Sequence, residues 1–284
     1  MRRAIHLLVI DPQNDFCDIP GAALPVPGAA ADLRRLADLI DGHRAALSGI
    51  TVTLDSHATV AVERTTFWRT GAGDAVAPFS FISADQVRAG AWVPRDASLA
   101  PAVLAMLDQL AAGGRPGLVV WPVHCVTGTW GHNIHAALAD ALADWELTHQ
   151  RAVRKVLKGE YPLSEHFGVF EADAPDAAVP STLFNTALAA RVSEGIDLLL
   201  IAGEASSHCV AASYRQLAGY LKGKPPKPHK PPKPVKQAKP RLVILTDAMS
   251  PVPGFVPLAE AFFEQARADG AELMTVEQAA DLLG

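Results

Sequence analysis

A cysteine stands where a buried strand gives way to a helix. The strand is the apolar run at residues 198–202, and the residues after Cys209 have helical composition. Ser206 and Ser207 offer side-chain oxygens that could cap this helix. Because free N–H groups and the helix dipole favour an anion here, the pattern predicts that the Cys209 thiol ionises near neutral pH. The same amides could hold an oxyanion. The alternative is a buried structural cysteine.

Other polar side chains also follow buried strands. They are Asp11, Asp55 with His57, His124 and Lys158. In a parallel sheet the carboxyl ends of the strands converge on one crevice, so these groups are expected to meet there. Each has an ordinary alternative when taken alone: a loop cap, a chance acid–imidazole pair, a core histidine or a solvated strand end. Their joint recurrence favours a site.

The elements that must position these groups alternate along the chain. Apolar runs predict strands at residues 5–10, 50–54, 118–120, 152–157, 198–202, 241–245 and 272–275. Helical spacing or composition predicts helices at residues 31–47, 84–89, 101–112, 133–143, 182–194, from 210 onward, 258–269 and 276–283. This order predicts a three-layer α/β/α protein with a mainly parallel central sheet, in one domain over residues 1–284.

Two excursions interrupt this alternation. Residues 65–117 carry aromatic side chains among glycines and prolines, and they predict a long packed loop with a short helix near residues 84–89. Residues 222–240 form a Lys/Pro-rich insertion that is expected to be extended and solvated. This insertion is either a tolerated surface addition or a cationic handle for a weakly bound partner.

Composition and charge exclude several classes of function. The 284 residues carry a net charge of −5, and the seven lysines between Lys222 and Lys239 leave the rest of the chain near −12. An acidic body argues against a nucleic-acid partner. No segment is apolar enough over its length to predict a signal peptide or a membrane span. Three widely spaced cysteines imply no disulfide framework, so a reducing cytoplasm is expected.

The polar clusters belong to longer strings. These are Asp11-Pro-Gln-Asn-Asp-Phe-Cys17, Gly21-Ala-Ala-Leu-Pro-Val-Pro-Gly28, Asp55-Ser-His57, Trp121-Pro-Val-His-Cys-Val-Thr-Gly-Thr-Trp-Gly131, Lys158-Gly159, Gly203-Glu-Ala-Ser-Ser-His-Cys-Val210 and Leu245-Thr-Asp-Ala248. In this order, and over nearly the whole chain, they resemble the isochorismatase-like cysteine hydrolases, most closely the nicotinamidase/pyrazinamidase group. The resemblance implies the isochorismatase-like hydrolase fold.

The resemblance also implies a catalytic triad of Cys209, Asp11 and Lys158. Asp11 would be the general base that takes the thiol proton and later passes a proton to the departing ammonia. Lys158 would hold the thiolate and orient Asp11. The amides of Ala205 and Cys209 would form the oxyanion hole, with a cis peptide bond before Ala205.

Asp55, His57 and His124 match the metal ligands of nicotinamidases. One carboxylate and two imidazoles suit a divalent ion such as Zn, Mn or Fe with open coordination positions. Phe16 and Trp121 match positions whose rings pack on the substrate ring. Their alternative is an ordinary place in the core.

The function that the resemblance implies is a metal-dependent amidase. It would hydrolyse nicotinamide, or a close aromatic carboxamide, to the acid and ammonia through a cysteine thioester, in the setting of NAD salvage. One alternative is an amidohydrolase of the same fold acting on carbamoyl, ureido or other carboxamide substrates. Another is a non-catalytic scaffold that presents the Lys/Pro segment. The expected partner is a small-molecule amide, and because relatives often associate, a homo-oligomer stays open.

The sequence departs from the family pattern at three places. Glu63 stands eight residues after Asp55, where some bacterial nicotinamidases carry a further histidine, and would either change the charge of the site or face water. Glu204 replaces an apolar residue beside the expected oxyanion hole. The excursion at residues 65–117 is longer than small nicotinamidases need, and is expected either to roof the pocket or to make a subunit contact.

Overall fold

The computed structural model describes residues 3–223 and 239–284. Most of the Lys/Pro-rich insertion therefore lies outside the described residues. The strands are β1 (Ile5–Ile10), β2 (Gly49–Asp55), β3 (Trp68–Thr70), β4 (Phe81–Ile82), β5 (Trp92–Pro94), β6 (Leu118–Val119), β7 (Arg154–Lys158), β8 (Leu198–Gly203), β9 (Arg241–Leu245) and β10 (Glu272–Met274). The helices are α1 (Ala29–His43), α2 (Ala84–Arg88), α3 (Ala100–Ala112), α4 (Ala136–His149), α5 (Thr186–Ser193), α6 (Cys209–Leu221), α7 (Val256–Ala268) and α8 (Val276–Ala280).

Six strands form the central sheet, in the order β10-β9-β8-β1-β2-β7, and every pairing is parallel. Parallel strands need crossover connections, which the helices supply. The register pairs Ile10 with Gly203 and Asp55 with Lys158, so β8 ends level with β1 and β2 ends level with β7. Because Val9 pairs with Val52, β2 ends two residues beyond β1. The predicted three-layer fold with a mainly parallel sheet is confirmed.

The sheet is covered on both faces, which explains why its central strands are apolar throughout. In β1, Leu7 and Val9 pack into a core with α1, α4 and α8, whereas Leu8 and Ile10 pack into a second core with α5, α6 and α7. Each fully buried Leu or Ile contributes on the order of 1.5–3 kcal/mol. Burying both sides of β1 and β8 therefore fixes the position of the residues that follow them.

The excursion at residues 65–117 builds a small core of its own. It contains β3, β4, β5, α2 and α3, and its buried side chains, Trp68 and Leu107 among them, pack with Leu118 and Val120. The prediction that residues 118–120 are one of the strands alternating with helices in the central sheet is wrong. Instead β6 pairs antiparallel with β4 of the excursion, because its apolar side chains complete that satellite core.

Local contacts set the helix boundaries. The predicted helix at residues 31–47 begins at Ala29 because both carboxylate oxygens of Asp18 accept the amides of Gly28 and Ala30. Asp18 therefore caps α1 from outside the helix. Within the described ranges no helix has the length and apolar character needed to cross a membrane.

Helix α6 and strand β9 border the insertion. The start of β9, Arg241, is level with Leu198 at the start of β8, whereas Cys209 begins α6 just beyond the end of β8. Because α6 runs antiparallel to the strands, Gly223 and Lys239 lie towards the end of the sheet where the strands begin. Cys209 lies at the opposite end, where they finish.

Candidate active site

Four neighbouring strands deliver the predicted polar groups to one place. Asp11 directly follows β1, Asp55 ends β2, Lys158 ends β7, and Cys209 begins the helix after β8. All four are at most 7% exposed. The convergence expected from the strand ends is therefore present in the fold.

The ammonium of Lys158 lies at the centre of this cluster. Its Nζ is 2.9 Å from Asp11 Oδ2, 2.7 Å from Asp55 Oδ1 and 3.5 Å from Cys209 Sγ. It also donates to the carbonyl oxygen of His166 at 3.0 Å. Burial opposes the charge on this amine, but the two carboxylates outweigh it and hold the pKa of Lys158 well above its usual value. Lys158 is therefore a permanent buried cation.

Asp11 is held in a left-handed conformation (φ 44°) directly after β1. Thr53 Oγ1 donates to its Oδ1 at 2.5 Å and accepts its amide at 3.0 Å. Burial raises the pKa of the Asp11 carboxyl, while Lys158 and Thr53 act in the opposite direction. A carboxylate with a raised pKa is a better proton acceptor than a solvated one.

The expectation that Cys209 ionises near neutral pH is wrong for the free protein. Burial raises the pKa of the Cys209 thiol well above its usual value, and the charges of Asp11 and Asp55 add to this against the opposing charge of Lys158. Asp11 is also a hydrogen-bond partner of the thiol. The resting side chain is therefore a thiol whose proton faces a carboxylate.

The turn before Cys209 also differs from the predicted serine cap. The N-cap residue of α6 is His208, without a side-chain cap, and Ser207 Oγ instead pairs with His208 Nδ1 and accepts the amide of Val252. The peptide bond between Glu204 and Ala205 is cis, as expected. The neighbouring backbone amides of His208 and Val210 already have acceptors, because both donate to the Ala205 carbonyl. In the described chain no backbone or side-chain acceptor takes the amides of Ala205 or Cys209.

Asp55, His57 and His124 present one ligand atom each within 4.8 Å of one another. The Nε2 atoms of both histidines approach Asp55 Oδ2, at 2.8 Å for His57 and 3.5 Å for His124. The Nδ1 of His124 faces the Pro122 carbonyl at 2.8 Å. Two imidazoles that are oriented from behind and converge on one carboxylate fit a divalent metal.

Glu63 does not face water. It is 1% exposed, and its Oε1 lies 2.9 Å from His57 Nδ1, so it orients the ring that the family resemblance assigns to the metal. Burial lowers the pKa of His57, but Asp55 outweighs burial and raises it to about 9, with Glu63 assisting. His124 is different, because burial and the nearby Arg64 lower its pKa to about 4.

Gln13 and Asp15 position the cluster from behind. The side-chain amide of Gln13 accepts the Asp55 amide at 2.7 Å and donates to the Asp55 carbonyl at 2.8 Å. Asp15 Oδ2 accepts a hydrogen bond from the amide of Cys125 at 2.7 Å, and Cys125 has a left-handed backbone conformation with φ 48°. The string that begins at Asp11 therefore supplies one reactive side chain and two side chains that fix neighbouring loops.

A cleft of about 430 Å³, counting the solvent at its mouth, opens onto this cluster. Aromatic and apolar side chains form most of its wall. The lining residues are Phe16, Leu24, Asp55, His57, Arg64, Trp121, His124, Glu165, Phe167, Ala205, His208, Cys209 and Val252. None comes from residues 65–117, so the excursion does not roof the cleft. It contacts lining residues from outside: Phe79 meets the edge of Trp121 at 5.8 Å between centroids, and the guanidinium carbon of Arg115 lies 5.1 Å from the centroid of Phe167.

The predicted rings Phe16 and Trp121 both line the cleft. The centroid of Phe16 is 5.2 Å from that of His124, and the indole of Trp121 is 5.2 Å from the ring of His208. Trp121 Nε1 donates to Glu165 Oε2 at 3.2 Å. Burial and the charge of Glu63 raise the pKa of Glu165 to about 7.

Glu204 is fully buried behind the Ala205 turn. Its Oε2 accepts the Ser250 amide at 3.1 Å, Ser250 Oγ donates to Asp32 Oδ2 at 2.6 Å, and Glu204 and Asp32 are hydrogen-bonded to each other. Burial raises the pKa of Glu204 well above its usual value, and the charge of Asp32 raises it further. Glu204 is therefore a neutral acid that ties the Ala205 turn to α1.

Six lining residues were not among the predicted site residues: Leu24, Arg64, Glu165, Phe167, His208 and Val252. Each lies in a loop or at a helix cap, so no strand end marks it. For Arg64 the only available signal was its place next to Glu63.

Fold and cluster together define a class: this is the isochorismatase-like hydrolase fold, with a buried cysteine, aspartate and lysine beside an Asp/His/His group. No protein-family model matches the sequence, and no curated protein matches it. Solved structures do match it over nearly their whole length.

Three of these structures are informative. A nicotinamidase/pyrazinamidase from Acinetobacter baumanii is 18% identical, with a TM-score of 0.62 and 97% of each chain covered. The yeast nicotinamidase Pnc1p, bound to the inhibitor nicotinaldehyde, is 19% identical, with a TM-score of 0.61, 95% of this chain covered and 99% of that one. A pyrazinamidase from Pyrococcus horikoshii in complex with zinc is 19% identical, with a TM-score of 0.52 and coverage of 95% and 98%. At these identities the likeness establishes a shared fold.

Proposed function

We propose that the protein is a metal-dependent amidase that hydrolyses nicotinamide, or a close aromatic carboxamide, to the carboxylic acid and ammonia. The observation that carries this proposal is the position of Lys158 Nζ, within 3.5 Å of Asp11, Asp55 and Cys209 together. One cation thereby joins a nucleophile and its base to the Asp/His/His group. The shared fold with nicotinamidases supports the substrate class. NAD salvage is the corresponding setting.

The first half of the reaction begins with Asp11. It takes the proton of the Cys209 thiol, and the thiolate, paired with Lys158, attacks the carboxamide carbon. The free amides of Ala205 and Cys209 receive the negative charge that develops on the carbonyl oxygen. Asp11 then gives its proton to the amide nitrogen, the C–N bond breaks, and ammonia leaves behind a thioester on Cys209.

The second half uses the same groups on water. Asp11 accepts a proton from water, and the oxygen attacks the thioester carbon. When the C–S bond breaks, the acid is released and the proton held by Asp11 returns to sulfur, which restores the thiol. Burial raises the pKa of both Asp11 and Cys209, and the hydrogen bond between them gives the proton a direct path from sulfur to the carboxylate and back.

Asp55, His57 and His124 would hold the metal. When bound, a divalent ion supplies a positive centre at the inner end of the cleft. Phe16 and Trp121 offer the faces and edges of their rings to an aromatic substrate, so the ring of the carboxamide lies between apolar walls while its carbonyl faces Cys209. A pyrazinamidase of this fold in complex with zinc supports the choice of a divalent ion.

The experiment is ammonia release from nicotinamide by the purified protein. We expect turnover that falls by at least about 10³-fold in Cys209→Ala, and that is lost after chelation and regained when metal is added back. Cys17→Ala is the matched control, because Cys17 is a second buried cysteine whose thiol donates to the Gln13 carbonyl outside the triad. Metal-replete protein without turnover of nicotinamide or benzamide would refute the proposal.

A further inference from the structure

Arg64 is a fully buried cation that the amidase reaction leaves without a role. Its side chain is 0% exposed and lines the cleft. Of its guanidinium nitrogens, only one Nη atom has hydrogen-bond partners, and the other Nη and the Nε have none. Its Nε forms an ion pair with Glu63 Oε1 at 3.5 Å, too long for a hydrogen bond, so the cost of burying this charge is only partly offset.

The partnered Nη1 atom lies against His124. It is 2.7 Å from Nδ1 and 3.1 Å from Nε2 of that ring. Each ring nitrogen also faces an acceptor, Nδ1 the Pro122 carbonyl at 2.8 Å and Nε2 the Oδ2 of Asp55 at 3.5 Å. Nη1 therefore lies within 3.1 Å of whichever nitrogen carries the lone pair of the ring. Arg64 places its charge against a ligand that has to coordinate a metal.

Because a cation held this close to His124 repels a divalent ion and occupies space beside the ring nitrogens, we propose that Arg64 competes with the divalent metal at His124 and thereby sets how tightly this centre holds its metal. The inference rests on the metal-dependent function proposed above. It predicts a weak, readily exchanged metal, whose binding requires the guanidinium to withdraw.

Glu63 offers the place to which the guanidinium withdraws. Its Oε1 is 3.5 Å from Arg64 Nε, and its Oε2 has no hydrogen-bond partner. A small shift of the Arg64 side chain exchanges the His124 contact for a second bond to this carboxylate. Glu63 also lies behind His57, so the same carboxylate serves both arrangements. Without metal, Arg64 supplies the positive charge facing His124; with metal, it pairs with Glu63.

The test measures metal affinity directly. Co²⁺ is titrated into metal-free protein in competition with a chelating dye, and the visible absorption of bound Co²⁺ reports its coordination. We expect Arg64→Met to bind Co²⁺ about 10- to 100-fold more tightly than wild type. Arg64→Lys, which keeps the charge but has a shorter reach, is expected to lie between them. Arg88→Met is the matched control, because Arg88 is an exposed arginine paired with Asp108, and its affinity should equal that of wild type.

Equal or weaker Co²⁺ binding by Arg64→Met would overturn the proposal. Circular dichroism of the metal-free variants checks the fold, and where Arg64→Met is unfolded, Arg64→Gln decides in its place because it removes the charge but keeps a polar side chain. Binding by the variant but not by wild type would support the competition. If neither binds Co²⁺, the competition is refuted, whereas ammonia release from nicotinamide by the same samples separately decides whether the protein is an amidase.

Discussion

Glu204→Gln removes a titrating acid from the protein interior while nearly keeping its shape. Glu204 is a neutral acid hydrogen-bonded to Asp32 and to the Ser250 amide. A glutamine at this position can accept the same amide through its oxygen and donate to Asp32 through its nitrogen. The substitution therefore separates protonation from packing.

The sign of the effect follows from the raised pKa. In the unfolded chain Glu204 loses its proton above about pH 4.3, whereas in the folded protein it keeps the proton to well above that pH. The folded state binds the extra proton, so the wild type loses stability as the pH rises, by about 1.4 kcal/mol per pH unit between the two pKa values. The variant carries no such cost. The unfolding free energy of Glu204→Gln minus that of wild type should therefore grow by up to about 4 kcal/mol between pH 5 and pH 8.

Urea unfolding at pH 5, 6, 7 and 8, followed by tryptophan fluorescence, measures this difference. Titrations of groups that do not interact with Glu204 are common to both proteins and cancel. Glu264→Gln, at an exposed position on α7, is the control, and its curve should run parallel to that of wild type. A difference between Glu204→Gln and wild type that stays constant from pH 5 to pH 8 would mean that Glu204 is ionised in the folded protein, and the reasoning would fail.

Two further substitutions test the site. In Gly159→Ala the new Cβ would lie 2.6 Å from Cε1 of His57, so the affinity for Co²⁺ should fall about tenfold or more. Gly73→Ala is the control, because Gly73 has a similar φ but open space around it. Equal Co²⁺ affinity in the two variants would contradict the expected clash. Thr53→Val removes the donor to Asp11 Oδ1, so turnover should fall about tenfold and the acid limb of the pH profile of kcat/KM should move to higher pH. An unmoved limb would show that Asp11 is not the titrating base.

The strand ends explain why so much of the site could be predicted from the sequence. Asp11, Asp55 and Cys209 each follow or end a short run that is buried on both faces, whereas Lys158 ends the edge strand β7, whose preceding residues are exposed or half-buried. Once such runs are assigned to a parallel sheet, the geometry of the sheet brings their ends together whatever the loops do. Nothing beyond the pattern of apolar residues was needed for that step.

Two kinds of feature could not be predicted from the sequence. Arg64, Glu165 and His208 reach the cleft from loops and a helix cap, whose paths depend on contacts between distant segments. The protonation of Cys209 was predicted wrongly because the dipole argument assumes a partly solvated helix start, whereas this thiol is buried beside two carboxylates. Depth of burial is a property of the whole fold and cannot be deduced from the residues around a cysteine.

Gly223 and Lys239 lie towards the end of the sheet where the strands begin, away from Cys209, and this position has a practical consequence. Helix α6 has 13 residues, about 20 Å of rise, so the point at which the chain leaves it is remote from the cleft. A carrier protein, a dye or a solid support joined at this junction would hold the protein with its cleft turned outward. The junction is thus a natural anchoring point for immobilising the protein without obstructing its access to small molecules.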